Sequence, residues 1–506
     1  METEKELQYV IQQAKQYNLI PIERNILADT ETPIRLFHHF EQEPYAFLLE
    51  SVEGGTNWAR YSFIGTDPFL HIRGKKGAIE IDLNGKKQTL TDKPMQALKQ
   101  LLARYQSPKL EDMPRFTGGA VGFFGYDLIQ YYENIPPHRI DDLNMQDIQF
   151  MFCDQIIVFD HLKQQVKVIG NVHVHEGDSI EDITQAYQLT VQKLQQTIQR
   201  IHQPLHIPMF HRSSMAHEVD LENVVSNISK EDFMRNVDKA KDYIASGDIF
   251  QVVLSQRFEM ESEASPLHVY RVLRTMNPSP YMYMLKLGDE VIVGTSPELL
   301  VRVEGDRVET RPIAGTRPRG RNEEEDIALE HELLHDEKER AEHVMLVDLG
   351  RNDIGRVAKY GTVEVDSYMD IERYSHVMHI VSNVSGELQE EKDFFDAFIS
   401  CMPAGTVSGA PKIRAMEIIA ELEQEARGAY AGAIGYLGFN GNLDTCITIR
   451  TIIFKGNKAY VQAGAGVVYD SIPEKEYEET VNKAKALLTS IKVAENIFTK
   501  EEQVAL

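Results

Sequence analysis

The chain has 506 residues, 42% hydrophobic and 26% charged, with a formal net charge of −25. That length calls for more than one ordinary core, and the balance is globular rather than disordered or fibrous. The acidic surface excludes a nucleic-acid binder, and no apolar run approaches the ~20 residues of a membrane span. The charged start METEKELQYV lacks the apolar core of a signal peptide, so a cytoplasmic protein is expected. Cys153, Cys401 and Cys446 are too scattered for a disulfide framework or a metal knuckle.

From about residue 20 to 170 the sequence shows short β-rich runs, among them Tyr45–Leu49, Tyr61–Ile64 and Gln155–Phe159. Gly, Pro and Asn/Asp separate them, which predicts a mostly antiparallel domain over residues 18–170. Asp178 to about Arg200 is polar and Gln-rich with Tyr187, Leu189, Val191 and Leu194 interspersed, the pattern of a surface helix. His202–Asn227, interrupted by Pro204 and Pro208, reads as a linker, so residues 171–228 form a helix-and-linker connection. Periodicity returns at Ser229, a candidate N-cap. Phe233, Val237, Ala240 and Ile244 then share a helical face, and Gly247 stands where a C′ glycine ends a helix. The alternating run Ile249–Phe258 follows, and strands and helices interleave to about Lys492, defining a second domain over 229–492 before a charged tail. Ser471–Glu474 reads as a capping box with proline in the first turn. The expected fold class is α+β, with layered, mainly antiparallel β-sheets and helices packed outside.

His331-Glu332-Leu333-Leu334-His335 has the H-E-x-x-H spacing at which two histidines one helical turn apart can hold zinc. It sits inside ALEHELLHDEKERAEHVML, a strongly charged predicted helix in which Glu and His are common. The nearby candidates for a third ligand, Glu339 and Glu342, fall on that same helix. A solvated helix face is the favoured reading, and a zinc metalloprotein through residues 331–335 is the remote alternative.

Other segments after residue 247 are more distinctive. Ser296-Pro297-Glu298 follows the apolar strand Val291–Gly294, and RPIAGTRPRG spans Arg311–Gly320. Glu342 leads into HVMLVDLGRN, His379 lies in RYSHVMHIVS, and PAGTVSGAPK spans Pro403–Lys412. Tyr430 lies in GAYAGAIGYLG, Arg450 in CITIRTIIF, and GAGVVYDSIPEKEYEETVNKA begins at Gly464. Singly, each has an ordinary structural explanation. Together, in order and nearly without gaps, they resemble the chorismate-utilising enzymes.

The resemblance implies a site for chorismate, a small dianion, in a fold of the kind those enzymes share. Glu298 matches the family's general acid, and His379 matches the histidine that assists loss of the enolpyruvyl group as pyruvate. Gly315, Thr316, Tyr430, Arg450, Gly464, Ala465, Gly466 and Lys483 match substrate contacts. Glu342 and Glu479 match ligands of Mg2+. The residue types suit that chemistry. Carboxylates favour a hard cation, while Arg, Lys and glycine amides supply local positive potential in a negative chain. A buried carboxylic acid can protonate a departing ring hydroxyl. Glu479 and Lys483, four apart, share a helix face.

Two positions discriminate within the family. Gln251, in FQVVLSQ, stands where isochorismate and salicylate synthases carry a lysine base, and glutamine cannot take a proton near neutral pH. Ala314 stands where aminodeoxychorismate synthases carry a nucleophilic lysine. Ammonia is then the expected nucleophile, and the resemblance points to the large subunits of anthranilate synthases, which open tryptophan biosynthesis by making anthranilate and pyruvate. An aminodeoxychorismate synthase component is the alternative. The cysteines lack the setting of a glutaminase nucleophile, so a separate glutamine amidotransferase subunit is expected, in a hetero-oligomer such as a heterotetramer. Leu48-Leu49-Glu50-Ser51, followed by Gly54, Gly55 and Arg60-Tyr61-Ser62, matches one half of the family's regulatory tryptophan site. NPSPYMY at Asn277–Tyr283 matches the other. Ser51, Pro280, Tyr281 and Met282 are the implied tryptophan contacts. A non-catalytic tryptophan sensor is disfavoured, because sensing alone needs none of the catalytic set.

Overall fold

The β-rich runs from both halves of the chain join in two antiparallel sheets, each of 12 strands among the described residues. The computed structural model describes residues 2–51, 60–207, 221, 223–374 and 377–502; Gly54, Gly55 and much of the predicted linker lie outside these. In the first sheet Tyr45–Glu50 pairs with Tyr281–Leu287. The sheet continues through Glu290–Ser296, Thr451–Lys455 and Lys458–Val467 to Gln251–Glu261. In the second, Gly119–Phe124 pairs with Ala433–Gly438. Leu443–Ile447, Leu299–Glu304, Arg307–Thr310, Val377–Glu387 and Ile313–Pro318 follow in that order. Each half of the chain thus supplies part of both sheets.

Burial explains the layering. Phe47, Ile156, Val158 and Leu285 of the first sheet meet Val121, Phe123, Met151 and Ile434 of the second in a shared, fully covered core. The outer face of the first sheet packs under the helices Ile180–Ile201, Pro266–Met276 and Pro473–Glu502. That of the second packs under Pro94–Leu102, Glu337–Gly355 and Phe394–Cys401. Each large apolar side chain so covered contributes about 1.5–3 kcal/mol. With both faces covered, Gly119–Phe124 is buried at every position, and its apolar run is continuous rather than alternating. The result is the expected α+β arrangement of helix, sheet, sheet and helix. Among the described residues, no helix is long and apolar enough to cross a membrane.

Several local expectations hold. Ser229 Oγ accepts the Asp232 N–H at 3.1 Å, and Gly247 closes that helix at φ +83°. Ser179 and Asp182 form a capping box that starts the predicted surface helix, although Leu189 on it is exposed. Others need correction. The charged stretch around 331–335 is two helices, because Asp336 ends Glu323–His335 and caps Glu337–Gly355. Ser471 Oγ accepts the Val468 N–H at 3.0 Å, and Glu474 pairs with Lys230 at 2.6 Å, so the predicted box is replaced by a turn and an ion pair. The last helix runs past Lys492 to Glu502, with Ile497 buried against the first sheet's core.

Candidate active site

Two crossovers between the sheets build the site. The chain leaves the first sheet at Ser296 and enters the second at Leu299, with Glu298 in the turn between them. It returns from Ile447 of the second sheet to Thr451 of the first, with Arg450 in that turn. Backbone bonds lace the crossovers together. The Glu298 carbonyl accepts from Ile447 N–H at 3.0 Å, and the Arg450 carbonyl from Thr295 N–H at 3.1 Å. Ser296 Oγ also donates to the Ile447 carbonyl at 2.7 Å. Arg450 has φ +52°, a left-handed conformation that costs a non-glycine residue roughly 1–2 kcal/mol and that the lacing holds in place.

Glu298 is half-buried. Burial, the largest influence, raises its carboxyl above the ordinary range; the Thr406 hydroxyl and the charges of Lys483 and Arg450 oppose the rise. Thr406 Oγ1 donates to Glu298 Oε2 at 2.7 Å. Burial also lowers the Arg450 guanidinium, while Glu298, Tyr430 and Glu479 partly restore it. Arg450 Nη1 donates to the Lys483 carbonyl at 2.9 Å. Tyr430 is pushed up to about 12, chiefly by burial, and stays a neutral phenol. Lys483 Nζ lies 2.6 Å from Glu479 Oε1 and donates to the Gly464 carbonyl at 2.9 Å.

The glycine strand presents two amides, not three. Ser255 N–H turns to Glu423 and the Val253 carbonyl to Arg427, so their partners Gly464 and Gly466 occupy non-hydrogen-bonded positions of the ladder. The amides of Gly464 and Gly466 therefore point away from Gln251–Glu261, where pairing with the strand Thr451–Lys455 has ended at Val461. Ala465, between them, pairs with Leu254 and directs its amide into the ladder. This corrects the expectation that all three amides meet an anion.

Glu342 and Glu479 approach from separate helices, Glu337–Gly355 and Pro473–Glu502. Burial first, then the like charge of Glu339 and more weakly of Glu479, raises the Glu342 carboxyl; Gln251 Nε2, donating at 3.5 Å, opposes this. A divalent cation would relieve that crowding of negative charge. Among the described residues no three His, Cys, Asp or Glu side chains converge on a metal position. Glu342 and Glu479 would suit magnesium, a hard cation that usually keeps several waters.

His379 faces Thr316 across the ladder, beside a bulge at Gly315, whose φ is +73°. Its Nδ1 lies 3.1 Å from the Gly315 carbonyl and 3.0 Å from Thr316 Oγ1. A carbonyl only accepts, so Nδ1 carries the proton and Nε2 keeps its lone pair. Burial lowers the imidazole pKa, the Gly315 carbonyl opposes this, and Arg450 lowers it further. The zinc-like pair differs. His331 and His335 are exposed, His335 Nδ1 turns to the His331 carbonyl at 2.7 Å, and Glu332 binds Arg317 at 2.9 Å.

The family model for chorismate binding enzymes matches residues 45–489. This chain belongs to that family. It is 56% identical over 487 residues to anthranilate synthase component 1 of Acetivibrio thermocellus, covering 96% of this chain and 97% of that protein. It is 48% identical over 491 residues to the component 1 of Aquifex aeolicus (strain VF5), covering 97% and 98%. The solved anthranilate synthase component I from Streptococcus pneumoniae TIGR4 superposes with a TM-score of 0.73 at 40% identity, covering 92% of this chain and 99% of that one. The menaquinone-specific isochorismate synthase of Escherichia coli shares the fold, with a TM-score of 0.68 at 18% identity over 97% of this chain and all of that one.

In this family member Ser51, Pro280, Tyr281 and Met282 come together on the wall of a second cavity, of about 630 Å³. Leu49 and Tyr283 of the first sheet and Ile434, Tyr436 and Cys446 of the second also line it. At one side Arg302 holds Asp444 at 2.8 Å, and Tyr281 donates to Asp444 at 3.0 Å. Cys446 directly precedes Ile447, whose N–H holds the Glu298 carbonyl. Thr406, the partner of Glu298, lies inside the distinctive run PAGTVSGAPK, but nothing in that string points to the contact. The contact of Gln251 with Glu342 spans 91 residues of sequence and leaves no local signal.

Proposed function

We propose that this chorismate binding enzyme is the large subunit of an anthranilate synthase, converting chorismate and ammonia into anthranilate, pyruvate and water. The observation that carries the reading is the pairing of Glu298, a carboxyl raised by burial, with a cationic wall of Arg450 and Lys483 beside the free amides of Gly464 and Gly466. Relatives of that name, nearly half to more than half identical over almost the whole chain, support it.

In this mechanism Arg450, Lys483 and the two glycine amides bind the carboxylates of chorismate, and Tyr430 walls the ring. Glu298 gives its proton to the departing ring hydroxyl, which leaves as water, while ammonia forms the new C–N bond at the ring carbon beside the carboxyl-bearing carbon. His379, neutral with Nε2 free, takes the ring proton whose loss makes the ring aromatic as the C–O bond to the enolpyruvyl group breaks. That group becomes pyruvate on protonation. Magnesium held by Glu342 and Glu479 would supply positive charge to fix the ring carboxylate.

Gln251 and Ala314 favour ammonia, because neither side chain can activate water or attack the ring. The ammonia comes from a separate glutamine amidotransferase subunit in a hetero-oligomer. Tryptophan occupies the cavity at Ser51, Pro280, Tyr281 and Met282 and inhibits by binding an inactive arrangement more tightly than the active one. The test is a product assay on the purified chain with chorismate, magnesium and ammonium chloride, with and without tryptophan. Anthranilate, suppressed by tryptophan and absent when glutamine replaces ammonium, is the expected outcome. An aminodeoxychorismate product, or glutamine-dependent turnover by this chain alone, would overturn the reading.

A further inference from the structure

Among the described residues, Arg427 heads the large side chains with no solvent contact, at 0% exposure. Its guanidinium meets Glu423 through two bonds, Nε to Oε2 at 2.8 Å and Nη2 to Oε1 at 2.6 Å. Nη1 donates to the Val407 carbonyl at 2.7 Å and Nη2 to the Val253 carbonyl at 2.9 Å. The group also lies 4.7 Å from the ring centroid of Tyr126 and 5.5 Å from that of Tyr430. An ion pair this deep adds little stability over apolar residues of the same volume, since desolvation offsets the attraction. A planar fork of donors does, however, fix the orientation of everything it binds.

Each segment it binds carries part of the site. Val407 follows Thr406, whose hydroxyl donates to Glu298 Oε2 at 2.7 Å. Val253 is two residues beyond Gln251 and faces Gly466 in the ladder. Glu423 Oε1 also accepts from Ser255 N–H at 2.7 Å and Ser255 Oγ at 2.9 Å, facing Gly464. Tyr430 reaches the same glycine: a Cβ on Gly464 would lie 2.7 Å from the Tyr430 hydroxyl.

We propose that Arg427 is a positioning residue for the amination and elimination: without touching substrate, it holds Thr406 against Glu298 and Tyr430 against the glycine strand. The proposal rests on the reading of Glu298 as the proton donor. Thr406 stabilises the ionised carboxylate, so loosening it favours the protonated acid and moves the alkaline limb of kcat against pH upward.

The test compares Thr406→Val, Arg427→Lys and the charge-neutral double variant Arg427→Met/Glu423→Gln, which leaves no unpaired buried charge and keeps an acceptor for Ser255. Ammonium-dependent anthranilate formation is followed against pH at saturating chorismate and magnesium, with thermal unfolding as the check on folding. Both Arg427 variants should lose about 100-fold in kcat, as expected for an ångström-scale misplacement. Their KM for chorismate should change by less than about threefold, and their alkaline limb should shift in the same direction as that of Thr406→Val. Adding Thr406→Val to Arg427→Lys should produce no further shift. Arg427→Lys keeps the buried charge, so it reads out position even where the double variant fails to fold. A folded Arg427→Lys protein with the wild-type kcat and pH profile overturns the proposal. So does a loss confined to KM. If Thr406→Val itself leaves the limb unmoved while Arg427→Lys loses kcat, the assignment of Glu298 as acid is what fails.

Discussion

Replacing Gly464 by alanine tests the construction of the site most directly. A Cβ there would sit 2.7 Å from the Tyr430 hydroxyl, 3.0 Å from Val253 Cγ1 and 3.1 Å from the Leu254 carbonyl. To regain ordinary contact at 3.4 Å the phenol must retreat by about 0.7 Å. Tyr430 has little room to do so, being 6% exposed and stacked near the Arg427 guanidinium. Overpacking of this kind costs about 1–3 kcal/mol, so the melting temperature should fall by a few degrees. Displacing the ring wall and the Gly464 amide together should lower kcat/KM for chorismate by about 10–100-fold. The comparison variant is Gly466→Ala, whose Cβ would meet only the terminal amide of Gln251 at 2.7 Å, the far end of a flexible side chain. It should melt closer to the wild type than Gly464→Ala. Anthranilate fluorescence with chorismate, ammonium and magnesium, together with thermal unfolding, measures both effects. A Gly464→Ala enzyme with wild-type kcat/KM, or a Gly466→Ala protein melting below it, would refute the reasoning.

Ser51→Phe should fill part of the second cavity, raise the tryptophan concentration needed for half-inhibition by at least about tenfold and spare kcat; an unchanged inhibition curve counts against that site. At constant free ammonia the pH profile should be bell-shaped. The raised carboxyl of Glu298 keeps its proton above the ordinary range, so activity falls as pH rises through that value, while the lowered imidazole of His379 makes activity fall as pH drops through a value below the ordinary histidine range. His379→Ala should remove the acidic limb and slow pyruvate release more than chorismate consumption; equal slowing of both would reject its role in elimination. Arg302→Met removes the partner of Asp444 in a pair only 8% and 12% exposed. It should destabilise the fold by about 3–5 kcal/mol in denaturant titrations, and a loss under about 1 kcal/mol would show that Asp444 finds compensation elsewhere.

The family was legible because its motifs are local strings that stand in order along the chain. Glu479 and Lys483 share a helix face as their spacing requires, and Ser229 and Gly247 bound their helix because capping depends on a few neighbouring residues. The capping box at Ser471 failed for a related reason: Val468 and Lys230, invisible to a four-residue pattern, bind its two polar groups first. The orientation of the Ala465 amide is not legible in the sequence, because strand pairing, which sorts amides alternately, leaves no mark in a glycine-rich string.

By itself, then, the sequence determined the residue chemistry of this chain and many of its helix and strand positions. It contains Glu298, His379, Glu342, Glu479, Arg450 and Lys483, and it carries Gln251 and Ala314 rather than lysine at those two positions. Only the tertiary structure decided that strands from both halves fuse into common sheets and that Glu298 and Arg450 face each other in paired crossovers. It also buried Arg427 at their back, against Thr406's neighbour and Tyr430. The bonds from Arg427 to the Val407 and Val253 carbonyls span 20 and 174 positions of sequence. Their existence depends on which apolar faces cover one another, a property of the whole packed chain rather than of any segment.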